Sequence, residues 1–99
     1  MKVNLIDFIG DAAMLEQTAE ECSELSKACL KMARLIRGEN KVYKTKQELY
    51  DNLVEEAADV KICLDELIEG LLIFRNDFDN KVVDKQLRKT ERLRKEGLI

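Results

Sequence analysis

The sequence predicts an all-α fold, and two observations carry this prediction. The chain of 99 residues contains no Pro and only four Gly, so little in it interrupts a helix. Its apolar residues also recur at the three- and four-residue spacing that is typical of amphipathic helices. We expect a single domain, residues 1–99, with three helices that form a helical bundle completed by oligomerisation.

The first helix is expected from Ala12 to about Arg37. Asp11 is a suitable N-terminal cap, and Gly38 follows the last turn. A polar connection, Glu39 to Lys44, comes next. The expected apolar stripe of this helix comprises Leu15, Thr18, Cys22, Leu25, Ser26, Cys29, Ala33 and Ile36.

The second helix begins with a capping-box sequence. The hydroxyl of Thr45 is placed to accept a hydrogen bond from the backbone of Glu48, whose side chain reaches back. We expect the helix to run from Lys46 to about Leu72, with Gly70 ending or loosening it. Its expected apolar stripe comprises Leu49, Leu53, Ala57, Val60, Leu64, Leu67 and Leu71.

The third helix is expected to be capped by Asn76 or Asp77 and to end near Gly97. It is basic, whereas the chain before it is acidic and the net charge is −3. An acidic body with a basic arm suits an anionic substrate that is held through metal ions. Nucleic acid is disfavoured as a partner, because its binding normally needs a broad basic surface.

The composition excludes several kinds of site. The chain has no His, so Ser-His-Asp and Cys-His nucleophilic sites, most zinc sites and Glu-x-x-His di-iron sites are absent. Cys22, Cys29 and Cys63 form no CxxC pair, and we expect them to be small buried residues on helices. Since no apolar run approaches the roughly 18 residues of a membrane span and no signal-like core begins the chain, we expect a soluble cytoplasmic protein.

Two acidic residues lie where helical periodicity predicts burial. Glu21 and Glu56 each flank an apolar stripe, whereas their neighbours Glu20 and Glu55 point outward. A carboxylate on an apolar flank costs several kcal/mol unless something compensates its charge. The outward face of the second helix is expected to be solvated and comprises Asp51, Glu55, Glu66 and Glu69.

Each of these two residues has an acidic partner three positions further on. Residues at this spacing face the same way, so Glu21 pairs with Glu24 and Glu56 pairs with Asp59. Two such pairs that face each other offer four carboxylates, which are ligands that Mg²⁺ and Mn²⁺ prefer. The sequence therefore predicts a divalent-metal site between the first two helices.

The same residues form two motifs of a known family. Glu20-Glu21-Cys22-Ser23-Glu24 is EExxE, and Glu56-Ala57-Ala58-Asp59 is ExxD. In this order they resemble the MazG-like all-α nucleoside triphosphate pyrophosphohydrolases. The segment from Asn52 to Val60 is similar to the short, phage-type members, and the resemblance extends from about Gln17 to Lys95.

The resemblance implies an enzyme that hydrolyses a nucleoside triphosphate to a monophosphate and pyrophosphate. In the family, the second and last Glu of EExxE and both acids of ExxD bind Mg²⁺, or Mn²⁺ in its place. They correspond to Glu21, Glu24, Glu56 and Asp59, which would also be the catalytic residues. The residues expected to contact the substrate are Asn52, Lys85, Lys89 and Arg92.

We also expect a homo-oligomer, dimer or tetramer, because Leu and Ile lie on more than one face of these helices and the family associates similarly. Two alternative functions remain open at this point. The first is phosphoribosyl-ATP pyrophosphohydrolase activity, which shares the all-α plan and the metal chemistry. The second is a non-enzymatic helical module that acts through interaction or regulation.

Overall fold

The computed structural model describes residues 2–39 and 44–99, which are mainly helical and contain no strand. The all-α prediction is confirmed for this part of the chain. Of the expected polar connection, residues 40–43 lie outside the described part. The helices are α1 (Ile6–Ile9), α2 (Asp11–Arg37), α3 (Lys46–Glu69) and α4 (Arg75–Lys95).

The ends of α2 lie within one residue of their predicted positions. Gly38 follows the last turn in the left-handed conformation, with φ of 68°, and its N–H donates to the carbonyls of Arg34 and Leu35. At the other end Gly10, with φ of 85°, takes the cap position that was expected for Asp11. Asp11 is instead the first helical residue, where its negative charge faces the positive end of the helix dipole.

The capping box at the start of α3 is confirmed. The backbone N–H of Glu48 donates to Thr45 Oγ1 at 3.1 Å, and the N–H of Thr45 donates to Glu48 Oε1 at 3.2 Å. The helix ends at Glu69, and Gly70 donates its N–H to the carbonyl of Glu66 at 2.8 Å.

Helix α4 begins slightly earlier than predicted. Phe74 occupies its N-cap without a side-chain hydrogen bond, so Asn76 and Asp77 lie inside the first turn. The helix contains no buried residue. Within the described chain it makes only marginal contact with the other helices.

The core lies between α2 and α3, which pack as an antiparallel hairpin. Met14 near the start of α2 joins Cys63 and Leu67 near the end of α3, together with Ile6 from α1. Further along, Ala28 of α2 and Leu49 of α3 are also buried.

The face of α2 that packs on α3 differs from the predicted stripe. Met14, Thr18 and Ala28 are the buried residues of α2, whereas Cys22 and Cys29 are exposed. The expectation of buried cysteines is therefore wrong for these two and confirmed for Cys63. Since α2 carries two adjacent apolar stripes, its sequence does not indicate which one meets α3. Other exposed members of the predicted stripes are Leu15, Ser26, Ile36, Ala57 and Leu71.

The short helix α1 was not predicted, and a buried acid holds it in place. Glu66 is only 6% exposed, and its carboxylate accepts the N–H of Leu5 at 2.8 Å and the N–H of Ile6 at 2.9 Å. The expectation that Glu66 is solvated is therefore wrong. The two free N–H groups at the start of α1 compensate the buried charge, and they come from a segment 60 or more positions away.

Gly70 allows the same N-terminal segment to approach α3 closely. A Cβ atom at this position would lie 2.5 Å from Ile6 Cδ1. Any larger residue here would force the side chain of Ile6, which is itself buried, to shift.

The chain is more extended than a compact domain of its length. Its radius of gyration is 17.3 Å, against about 13 Å for a compact domain of 100 residues. In the described residues, no helix has the combination of length and apolarity that a bilayer crossing requires.

Candidate metal centre

Three of the four predicted metal ligands lie together between α2 and α3. One carboxylate oxygen from each of Glu21, Glu56 and Asp59 lies within 4.8 Å of the other two. All three residues are half-buried. The antiparallel packing of the hairpin brings the EExxE segment of α2 level with the ExxD segment of α3.

The fourth predicted ligand, Glu24, lies beside this cluster rather than in it. Its side chain is exposed, and its Oε1 is 3.3 Å from Nζ of Lys27. Its charge nevertheless acts on the cluster, because Glu24 is one of the acids that raise the pKa of Glu56. The structure therefore unites three carboxylates and leaves the fourth paired with a lysine.

The acids of this cluster repel one another. The pKa of Glu56 is raised above its ordinary value of 4.5, first by burial and then by the charges of Asp59, Glu21, Glu24 and Glu55. The charges that raise it are all negative, and no cation of the described residues is among the groups that shift the pKa of Glu56. A hard cation at this point would remove both the repulsion and the cost of burial.

A glutamine that sequence analysis did not single out orients one of the clustered carboxylates. Gln17 Nε2 donates to Glu21 Oε1 at 2.8 Å. The two residues are four positions apart on α2, a spacing at which side chains meet on one helix face. The four-residue spacing between Gln17 and Glu21 was the signal in the sequence that could have predicted this hydrogen bond. Because Glu21 is half-buried, the hydrogen bond restricts the orientation of its carboxylate.

A small cavity adjoins the cluster. Its volume is about 120 Å³, and the residues that line it are Leu5, Met14, Gln17, Glu21, Asp59, Ile62, Cys63 and Glu66. This space holds a few water molecules, each of which takes about 30 Å³ in the liquid. The cavity therefore suits an ion with its waters, and a nucleoside would have to lie outside it.

Cys63 lines this cavity but is a poor nucleophile. Burial raises the pKa of its thiol above the ordinary value of 9.0, and the charges of Glu21 and Asp59 act in the same direction. Because the thiolate is the reactive form, a thiol kept protonated in this way is inert near neutral pH. The chemistry of the site therefore depends on its carboxylates.

The predicted substrate contacts fall into two places. Asn52 is half-buried on α3, one turn before Glu56. Lys85, Lys89 and Arg92 share one face of α4 and line an open groove of about 430 Å³ with Arg88, which sequence analysis had not singled out.

The groove on α4 is formed by α4 alone, so it is separate from the carboxylate cluster. Arg88 is partly neutralised there, since its Nη2 lies 2.5 Å from Oδ2 of Asp84. The structure therefore places the predicted cations together on one surface and the predicted metal ligands together on another. Comparison of the chain with models of known protein families, with curated proteins and with solved structures found no match.

Proposed function

We propose that the chain is a Mg²⁺-dependent nucleoside triphosphate pyrophosphohydrolase, in which Mn²⁺ can replace Mg²⁺. The substrate is a nucleoside triphosphate, and the products are the nucleoside monophosphate and pyrophosphate. The observation that carries this proposal is the meeting of Glu21, Glu56 and Asp59 from two helices within 4.8 Å. The resemblance of these segments to the MazG-like EExxE and ExxD motifs also supports it.

The donor set fits a hard divalent cation. Glu21, Glu56 and Asp59 supply three carboxylates, and Glu24 is close enough to influence Glu56. Such a cation supplies Lewis-acid chemistry, which lowers the pKa of water and balances the charge of the pyrophosphate leaving group.

The chain's own residues have distinct tasks in this proposal. The three clustered carboxylates bind the cation, and Gln17 fixes the orientation of Glu21 by its hydrogen bond. The buried side chain of Met14, which lines the cavity next to the cluster, excludes bulk water from one side. A carboxylate of the cluster takes the proton of the attacking water.

Substrate binding needs positive charge that the carboxylate cluster lacks. Lys85, Lys89 and Arg92 would provide it from α4, with α4 of one subunit approaching the carboxylate cluster of another, because the groove and the cluster lie on separate surfaces of one chain. Asn52 is one turn from Glu56 on α3, and we assign to it the contact with the sugar or base.

We further propose that the protein acts in the cytoplasm as a homo-oligomer. Three free cysteines support a reducing compartment. The many exposed Leu, Ile and Val side chains and the unpacked helix α4 support association.

The proposal is tested by measuring pyrophosphate release from a panel of common and modified nucleoside triphosphates, with Mg²⁺, with Mn²⁺ and with EDTA. We expect metal-dependent release of equal amounts of pyrophosphate and monophosphate. Glu56→Gln should abolish it, and the matched exposed variant Glu55→Gln should retain it. Equal loss in both variants would contradict the assignment of Glu56.

The same panel separates the alternatives. Hydrolysis of phosphoribosyl-ATP in preference to every nucleoside triphosphate would favour the related pyrophosphohydrolase. If no substrate is hydrolysed but Mg²⁺ stabilises the fold, the enzymatic proposal would be wrong, and a regulatory module that binds metal would be favoured.

A further inference from the structure

One side of α2 exposes an apolar stripe that nothing in the described chain covers. Leu15 is 49% exposed, Leu30 53% and Ile36 74%. Cys22, Ser26 and Cys29 are exposed between them. Around Ser26 the stripe forms a shallow groove of about 520 Å³ with a mainly apolar lining. Contiguous exposed apolar surface of this kind marks an interaction site.

The stripe is arranged symmetrically about the middle of α2. Leu15 and Ile36 lie equally far from the midpoint between Leu25 and Ser26, and so do Cys22 and Cys29. If a second α2 runs antiparallel over the first with a two-fold axis at this midpoint, Leu15 meets Ile36 of the partner subunit and Cys22 meets Cys29 of the partner subunit. A contact of this type is isologous, because the same patch serves on both subunits.

The charges of α2 are divided at the same point. Residues 11–24 carry five acids and no base, whereas residues 25–37 carry four bases and no acid. Antiparallel pairing therefore sets the acidic half of one helix against the basic half of the other along their whole length. Parallel pairing would set like charge against like charge.

The helix dipole also favours acids near an N-terminus and bases near a C-terminus. It gives no reason, however, for Leu15, Leu30 and Ile36 to be exposed on a charged helix. The small side chains at positions 22, 26 and 29 allow two helix backbones to come close. The larger side chains of Leu15 and Ile36 would pack against the partner helix at the two ends of the contact.

We propose that the exposed stripe of α2 is the interface with a second copy of this chain, and that the two α2 helices pack antiparallel about a two-fold axis between Leu25 and Ser26. This arrangement does not depend on the enzymatic activity proposed above. It specifies that Cys22 of each subunit faces Cys29 of the partner subunit.

The two cysteines make the arrangement testable in the full chain. Diamide takes two protons and two electrons from a pair of thiols and becomes a hydrazine, so each disulfide formed reports one close pair. We expect the oxidised wild-type protein to migrate as a covalent dimer on a denaturing gel. Cys22→Ser and Cys29→Ser should each remain monomeric on that gel, because each thiol then faces a serine.

The co-expressed mixture of these two variants should regain the covalent dimer, since Cys29 of one chain then faces Cys22 of the other. The double variant Cys22→Ser/Cys29→Ser, which keeps only the buried Cys63, serves as the control and should not cross-link. A covalent dimer in either single variant alone would indicate a parallel or different contact and would overturn the proposal. A mixture that fails to cross-link would overturn it too.

A second measurement is independent of the thiols. Ser26→Arg places two cations at the two-fold axis, whereas Ala13→Arg adds the same charge to an exposed position on the opposite side of the helix. We expect Ser26→Arg to halve the mass in light scattering and to keep its helical circular dichroism, and we expect Ala13→Arg to keep the wild-type mass. A wild-type protein that is monomeric, or a Ser26→Arg protein with wild-type mass, would refute the interface.

Discussion

The carboxylate of Glu56 is surrounded by acids, and this environment has a consequence for stability. Its pKa is raised in the folded state, so the folded protein holds this proton to a higher pH than the unfolded chain does. The ionised group therefore destabilises the fold as pH rises through the folded pKa, and the penalty is absent below the ordinary value of 4.5.

We accordingly expect Glu56→Gln to be more stable than wild type near neutral pH in the presence of EDTA. The difference should vanish as the pH falls below 4.5. Urea denaturation at several pH values measures it, with Glu55→Gln as the exposed control. A gain in Glu55→Gln as large as that in Glu56→Gln would mean that the effect comes from net charge alone.

Glu66 is a buried acid that stabilises the fold because it accepts hydrogen bonds from the N-terminal segment. Both of its oxygens accept backbone N–H groups, from Leu5 and Ile6. Glu66→Gln replaces one accepting oxygen by an amide that donates, so one N–H loses its partner. We expect a loss of about 1–3 kcal/mol in the free energy of unfolding, measured by urea denaturation.

The control for this change is Glu69→Gln, because Glu69 lies about one helical turn after Glu66 and is on the surface. Glu69 contacts Lys2 as an exposed ion pair, and such pairs contribute less than about 1 kcal/mol. A larger loss in Glu69→Gln than in Glu66→Gln would mean that the N-terminal segment is held by charge at the surface.

At the residue scale, the sequence predicts the site better than its surroundings. The clustering of Glu21, Glu56 and Asp59 was predictable because helical periodicity places these acids on apolar flanks. The burial of Glu66 was not, since its partners are 60 or more positions away and belong to an unpredicted helix. The pairing of Glu24 with Lys27 depends on side-chain rotamers, on which helical periodicity has no bearing.

Among the elements, α3 depends on a local signal at its start. Thr45 and Glu48 satisfy each other's backbone N–H groups. We expect Thr45→Ala to lower the free energy of unfolding by about 1 kcal/mol, because the cap is lost. Thr45→Ser keeps the hydroxyl and should stay close to wild type in the same urea titration; an equal loss in both would assign the effect to the methyl group.

Helix α4 is the element whose side chains are freest to serve binding. Because no residue of α4 is buried, Lys85→Ala should leave the melting temperature nearly unchanged. If Lys85 holds the triphosphate, steady-state kinetics should show at least about a tenfold rise in KM or fall in kcat, equivalent to about 1.4 kcal/mol.

The control variant on the same helix is Arg94→Ala, which removes one exposed positive charge outside the groove. It should keep wild-type kinetics. Equal losses in Lys85→Ala and Arg94→Ala would indicate a general effect of net charge rather than a contact with substrate.

Helix boundaries were predicted within a few residues because their signals are local. Gly38, Thr45 and Gly70 stop or start helices through their own backbone and hydroxyl groups. The packing face of α2 was predicted one residue out of register, because the choice between two apolar stripes is made by α3 and, in our proposal, by a second copy of the chain. The short helix α1 escaped prediction because four residues are too few for a periodic pattern.

For the whole molecule, exposed apolar surface and a radius of gyration of 17.3 Å predict that folding is coupled to association. The melting temperature of the wild-type protein should then rise with protein concentration, since mass action favours the assembled state. Differential scanning fluorimetry over a hundredfold range of concentration measures this. A melting temperature that is independent of concentration would indicate a chain that is stable as a monomer.

The contact between Glu66 and the first residues also orders events during synthesis. The backbone of Leu5 leaves the ribosome 61 positions before the carboxylate that binds it. At roughly 5–20 residues per second, the N-terminal segment waits on the order of 3–12 s before its partner is made. During that interval the apolar side chains of Leu5 and Ile6 have no α3 to cover them, so the nascent chain passes through a period in which a chaperone that binds short apolar segments would find them accessible.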